Sequence, residues 1–393
     1  MAELETMNMM SVNLDIFTEQ IREELEDENY NPFIGIGKSG VGKTVSIYEL
    51  TKELGIGYCE LRLVTMTEID LLGIPEKTPD GRTTYASNEL LPDAKRDGES
   101  GILVLDEITS ASPTIRAAAY QLLDSKRALG NYKLPPKWKV VALGNGISDG
   151  GCFNGMEAAF LSRATCYRIE PDLPTWKKWA IKNNVNPAVI AFLTFDPSYL
   201  HVFNPDEMAS VFPCPRSWTA LSTKLNAREK HTNNEVLPVE KVELYAAGSV
   251  GAQIAPMFAA FYDYKGKTIS PEAVLAGSAN GADAKSMKPE AVYLAIQQVI
   301  KLLKSKSDAE NLSKDDEDAG NVSEKFLAEV INGVRWMMDL SKAKLDYSIA
   351  GFNDMGKALP VIKGILLNNS KFDEQCPDFF EFASKSSVVL TPQ

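Results

Sequence analysis

The chain has 393 residues, of which 44% are hydrophobic and 24% charged, enough for two or three packed units rather than one core or a disordered polymer. Its formal net charge of -12 opposes a broad nucleic-acid-binding surface, because phosphate contacts need clustered Lys and Arg. Two histidines, His201 and His231, and five scattered cysteines, Cys59, Cys152, Cys166, Cys214 and Cys376, leave little for a zinc centre or a histidine-based nucleophile; the cysteines read as small buried hydrophobes.

In chain order, the opening MAELETMNMM carries acids where a secretion signal would carry basic residues, and no later run has the apolar length of a membrane span. A cytoplasmic protein is expected. Leu14, Phe17, Ile21 and Leu25 mark an amphipathic helix over residues 11–29. Strands are predicted at 33–36, 61–67, 102–106 and 140–143, with a helix at 45–54 and further helical stretches between. Alternating strands and helices imply a parallel sheet covered on both faces.

After Pro171 strand patterns become scarce, which places a boundary near Glu170. Helices are predicted at 176–183, 187–193, 242–262, 290–304, 323–340 and 358–367, with a small-residue loop at 277–284. Residues 305–321, polar and acidic, read as a solvated linker. Trp176, Trp179 and Trp218 are spaced like packing residues.

The segment GKSGVGKT spans Gly37, Lys38, Ser39, Gly40, Val41, Gly42, Lys43 and Thr44 and fits G-x-x-x-x-G-K-[ST] between a predicted strand and a predicted helix. Its glycines let backbone N–H groups and the helix N-terminus wrap phosphate oxygens. Lys43 is placed to reach the β- and γ-phosphates, and Thr44 to offer its hydroxyl to Mg²⁺. ILVLDE then ends a buried strand with two carboxylates, Asp106 to orient the metal and Glu107 to polarise the attacking water. No guanine-reading N-K-x-D follows, so ATP is the favoured nucleotide.

These motifs, together with LGN ending at Asn145, AFLSRATCYRI and CPRSW, resemble AAA+ ATPases of the MoxR-type branch over residues 32–225. The resemblance implies a P-loop AAA+ αβα core at 1–170, an all-α lid at 171–265 and a C-terminal helical extension at 266–393 containing the acidic linker. It makes GKSGVGKT Walker A, ILVLDE Walker B, Asn145 sensor 1, Arg163 the arginine finger and Arg216 sensor 2, contacting phosphates from the lid. Ala164 stands where a Phe is usual and Gly146 where a Pro is usual, which leaves Arg168 as a rival to Arg163.

Residues 71–92 resemble the helix-2 insert and 126–140 the presensor-1 hairpin, making Arg82, Tyr85, Tyr132 and Lys133 candidates for touching a client. The implied function is a homo-oligomeric, hexameric ring that remodels or activates a protein partner, of which von Willebrand factor A-domain proteins are one kind. Two other readings stay open. Lys126, Arg127, Lys133, Lys137 and Lys139 invite a nucleic-acid motor of a phage or defence system, and the other is a nucleotide-gated scaffold in which binding sets assembly and turnover is incidental.

Overall fold

A computed structural model describes residues 9–27, 31–86, 88–146, 161–204, 211–233, 235–312, 322–386 and 388. The chain divides into two compact units, Met1–Asp172 with Phe203–Ala209, and Leu173–Val202 with Ser210–Gln393.

The first unit is built on strands whose successive residues are apolar on both faces. Ile34, Ile36, Leu103, Leu105, Val140 and Ala142 enter one core, while Phe33, Ile102, Val104, Val141 and Leu143 enter another. Such strands need cover on each side. The six-stranded sheet comprises β1 (Met10–Val12), β2 (Phe33–Gly37), β3 (Gly57–Arg62), β6 (Ser100–Asp106), β9 (Lys137–Gly144) and β10 (Thr165–Ile169). Its order is β1-β10-β2-β9-β6-β3, and every pairing is parallel.

Helices α1 (Leu14–Glu26) and α2 (Lys43–Leu54) cover one face through Phe17, Ile21, Ile47 and Leu50. The short α3 (Glu68–Leu72) and α4 (Ala94–Asp97) lie between strands in sequence, and α5 (Pro113–Leu123) buries Ile115, Ala119 and Leu122 on the other face. Local chemistry sets the helix starts: Asn13 accepts the Ile16 N–H, and Ser112 caps α5 just before a proline at its first position. The result is a three-layer αβα unit with an all-parallel sheet.

Several sequence expectations shift. The strand expected at 61–67 is Gly57–Arg62, because its pairing with β6 ends where Arg62 meets Asp106, and Leu63–Thr65 turns into 3-10 helix. β1 and β10 were not anticipated as strands. Two antiparallel ribbons, β4 (Pro75–Lys77) with β5 (Thr83–Tyr85) and β7 (Ala128–Leu129) with β8 (Tyr132–Lys133), form in the two segments expected as hairpins.

The second unit is helical among its described residues: α6 (Leu173–Lys182), α7 (Pro187–Phe195), α8 (Pro215–His231), α9 (Val239–Val250), α10 (Ala255–Tyr262), α11 (Pro271–Leu275), α12 (Pro289–Ala309), α13 (Glu324–Ala358), α14 (Pro360–Asn368), α15 (Ser370–Gln375) and α16 (Phe379–Lys385). One apolar core runs from Trp176 to Ala383. Phe192 lies at its centre, with its ring 5.5 Å from Trp218 and 5.4 Å from both Phe258 and Phe261. Trp176 and Trp218 are buried, and the half-buried Trp179 packs against the same core.

The single helix expected at 242–262 is two, divided at Gly251, whose positive φ of 99°, open to glycine, ends α9. Part of the loop expected at 277–284 is a 3-10 turn, Gly281–Ser286. Helix α12 extends to Ala309, so the first residues expected as linker are helical; residues 313–321 lie outside the described residues. Within α13 the backbone leaves helical geometry at Lys344, and the buried Ser348 hydroxyl donates to the Met337 carbonyl at 2.7 Å. Residues eleven apart in a straight helix would be roughly 16 Å apart, so the chain doubles back there.

Cys214 and Cys376 are buried, as expected, whereas Cys59 and Cys166 are only half-buried, and Cys152 lies outside the described residues. Burial, the largest effect on each, pushes the Cys59 and Cys166 thiols up to about 11.

Candidate functional site

In a parallel sheet the carboxyl ends of all strands share one edge. Gly37 ends β2, Asp106 ends β6, and β9 ends at Gly144, one residue before Asn145. β9 lies between β2 and β6, so Asn145 leaves the sheet between the glycine-rich loop and the paired carboxylates.

The loop from Gly37 to Gly42 turns tightly into α2. Gly42 is the residue capping α2, with φ of 108°, a left-handed conformation that β-carbons resist. A β-carbon on Gly37 would overlap the Ile169 carbonyl of β10. Val41 is buried in the core under α2, anchoring the loop from below. Lys38 and Ser39 are half-buried on its flank. The first N–H groups of α2 are thereby presented at the loop's concave side, an anion-binding arrangement.

Lys43 is 7% exposed, and its ammonium donates to the Gly37 carbonyl at 2.8 Å, the Lys38 carbonyl at 2.9 Å and Asn145 Oδ1 at 3.0 Å. Thr44 Oγ1 donates to Asp106 Oδ2 at 3.2 Å. These hard oxygen donors suit Mg²⁺, which is commonly held by one or two protein oxygens with water completing the shell. The other Asp106 oxygen accepts the Glu107 N–H at 2.9 Å. Glu107 itself has φ of 57°, a left-handed conformation uncommon for a residue with a side chain.

Sequence reasoning missed Thr109. Its buried hydroxyl accepts the Asn145 N–H at 3.1 Å, and the neighbouring Ile108 N–H donates to the Leu143 carbonyl at 2.9 Å. The turn after Glu107 is therefore stitched onto the end of β9. Glu170 was also missed as a site residue: it pairs with Lys38 at 3.3 Å and with Arg168 at 2.5 Å.

The structure gathers Lys43, Thr44, Asp106, Glu107 and Asn145, but not Arg163. Thr165 pairs with Phe33, so Arg163 precedes β10 at the amino edge of the sheet, with Nε 4.0 Å from Asp124 Oδ2. The length of β2 separates that edge from the loop, roughly 13 Å at strand spacing. Arg168 lies beside Ile36, and its guanidinium is bonded to Glu170. Arg216 belongs to the other unit, exposed in the first turn of α8. The part of the finger segment before Leu161 lies outside the described residues.

The basic tally at 126–140 is reduced. Lys139 is buried, donating to the Asp27 carbonyl at 2.9 Å and facing Glu24 at 3.5 Å. The Arg127 guanidinium donates to the carbonyls of Pro135, Pro136 and Trp138, while Lys126, Lys133 and Lys137 stay exposed. Of the candidate client contacts, Arg82, Tyr85 and Lys133 are exposed, whereas the half-buried Tyr132 gives its hydroxyl to the Pro92 carbonyl at 2.8 Å. Asn131 bonds Thr84, joining the two ribbons.

Residues 32–164 match a known protein family, the AAA domain of the dynein-related subfamily. Over those residues the chain is similar to an AAA domain. Its αβα core is therefore a P-loop AAA+ core, of a kind that in general binds ATP with Mg²⁺ and hydrolyses it, and a helical region follows the core in sequence. Among solved structures the chain is similar to one described as a closed-state cryo-EM reconstruction of Hsp104:ATPyS and FITC casein, with 18% identity, 44% of this chain covered and a TM-score of 0.33. The match spans 36% of that structure's chain. Among the described residues, no helix is long and apolar enough to cross a membrane.

Proposed function

We propose that this chain is a cytoplasmic ATP hydrolase of the MoxR-type branch of AAA+ ATPases, working as a homo-oligomeric, hexameric ring that remodels or activates a protein partner. The observation that carries the reading is the bonded set Lys43–Asn145 and Thr44–Asp106 at one sheet edge, with Glu107 adjacent in the chain.

In this reading the amides of 37–44 and the Lys43 ammonium hold the phosphates of ATP. Mg²⁺, held by Thr44 and Asp106 with water, would neutralise charge on the β- and γ-phosphates. The Glu107 carboxylate orients and deprotonates the attacking water, and Asn145 fixes its position with an amide dipole. Thr44 and Asp106 are already bonded to each other, whereas the Lys43 ammonium, whose donors meet Gly37, Lys38 and Asn145, must turn at least one of them to the phosphates.

Arg163 acts on the nucleotide of a neighbouring subunit. Its place at the amino edge, away from its own phosphate loop, favours action in trans, whereas Arg168 is engaged with Glu170 in its own core. Arg216 serves as sensor 2 from a lid at 171–265, with 266–393 as the extension. A von Willebrand factor A-domain protein is the partner this branch implies. A nucleic-acid motor has weaker support, since Arg127 and Lys139 are committed within the fold.

The deciding experiment measures ATP turnover against protein concentration for the wild type and Arg163→Ala, with oligomer mass at each point. Activity rising with assembly, and lost in a ring-forming Arg163→Ala, is the expected result. Turnover independent of concentration and untouched by the substitution would overturn the shared-site mechanism.

A further inference from the structure

Glu170 lies where β10 leaves the sheet, two residues before Asp172 ends the first unit. Its backbone is fixed by its own N–H, which donates to the Val12 carbonyl of β1 at 3.0 Å. Its two carboxylate oxygens face different cations: Oε1 takes Arg168 Nε at 2.5 Å, and Oε2 lies 3.3 Å from the Lys38 ammonium. Lys38 is the second residue of the phosphate loop, and its carbonyl accepts from the Lys43 ammonium at 2.9 Å, as do the Gly37 carbonyl and Asn145.

The contacts therefore form a relay. Arg168 orients the Glu170 carboxylate, Glu170 draws the Lys38 side chain to the β10 flank, and the Lys38 carbonyl is thereby held toward Lys43. The lack of space between Gly37 and the Ile169 carbonyl keeps the loop close enough for this reach. Burial alone would raise the Glu170 carboxyl, but the Arg168 hydrogen bond and the charges of Lys38 and Arg168 outweigh it and hold the group below its ordinary value. The carboxylate is thus a charged partner at neutral pH.

We propose that Glu170 is a positioning residue of the nucleotide site, acting through Lys38 to hold the phosphate loop and Lys43 in their binding geometry. This rests on the ATP-binding reading above. It adds a tether between the loop and the last turn of chain before the helical unit. Its contribution is to nucleotide affinity, because Glu170 reaches no reacting atom.

The test is a double-mutant cycle on the full chain with Glu170→Gln, Lys38→Met and their combination, reading the Kd of Mg²⁺-AMPPNP by calorimetry and the fold by thermal melting. With both side chains about a third exposed, Glu170→Gln is expected to weaken binding roughly twofold to fivefold. Lys38→Met should weaken it as well, and Glu170→Gln should add nothing in the Lys38→Met background. The coupling should shrink with salt, which a purely structural role would not do. Unchanged affinity in Glu170→Gln, or additive losses, would overturn the proposal. If Glu170→Gln fails to fold, unchanged affinity in Lys38→Met has the same consequence. Failure of the wild type to bind AMPPNP would instead remove the nucleotide-site reading itself.

Discussion

The Lys43 ammonium donates to the side-chain oxygen of Asn145 at 3.0 Å, a bond between the phosphate loop and the neighbouring strand end across 102 positions of sequence. Removing the amide takes away this bond, while those to the Gly37 and Lys38 carbonyls stay. Asn145→Ala should lower kcat about tenfold to a hundredfold while nucleotide affinity stays within a few fold. Steady-state kcat and KM for ATP separate the two effects, and a change confined to KM would contradict the role.

Glu107 has two separable properties, a carboxylate and a left-handed backbone. Glu107→Gln should lower turnover by about 10²–10⁴-fold with nucleotide still bound. Glu107→Gly should be equally inactive yet more stable by about 1 kcal/mol, because glycine carries no steric penalty at φ of 57°. Denaturant melts of the two variants beside the wild type provide the comparison.

Thr109 holds the Asn145 N–H from a fully buried position. Thr109→Val keeps the shape and removes the acceptor, which should cost about 1–3 kcal/mol of stability and lower kcat with Asn145 mispositioned. Thr109→Ser should restore most of both. Equal behaviour of the Val and Ser variants would show that the hydroxyl is idle.

The depressed Glu170 carboxyl gives a signed pH effect. A group whose folded value lies below its unfolded value stabilises the fold above the unfolded value, here about 4.5, and loses that contribution as pH falls through the lower folded value. Wild type should therefore lose stability faster than Glu170→Gln as pH drops below about 4.5. Thermal melts of both proteins between neutral and acidic pH test it; parallel curves would contradict the linkage.

In the helical unit, Lys177 and the buried Asp354 pair at 2.7 Å, and Gln297 donates to the other Asp354 oxygen at 2.7 Å. Lys177→Met leaves that carboxylate without its cation and should cost about 3–5 kcal/mol in chemical denaturation. Adding Asp354→Leu to it should recover much of the loss.

The cluster of Lys43, Thr44, Asp106 and Glu107 at one sheet edge could be expected because its motifs are contiguous: GKSGVGKT and ILVLDE each carry strand, turn and candidate site residues in one stretch. The edge strands were not. Met10–Val12 is too short to show alternation, and Thr165–Ile169 acquires strand character from pairing with Phe33–Gly37, far away in sequence. The same limit hid the fates of Lys139 and Arg127, which look like solvated basic residues until Glu24 and the carbonyls of 135–138 are brought to them. Glu170 gave no local sign either, because its partner Lys38 is distant in the chain. Helical periodicity located several of the second unit's helices but not Pro215–His231, nor the reversal at Lys344, where neither Gly nor Pro marks the turn.

The pairing of β1 with β10 has a practical side for handling this protein. A chain trimmed to begin at Leu14 would keep every candidate site residue discussed above, yet it would leave the Tyr167–Ile169 edge without its neighbour and Glu170 without the Val12 carbonyl. A bare strand edge recruits other strands, so such a trimmed protein should tend to self-associate and precipitate, a laboratory artefact easily mistaken for natural assembly.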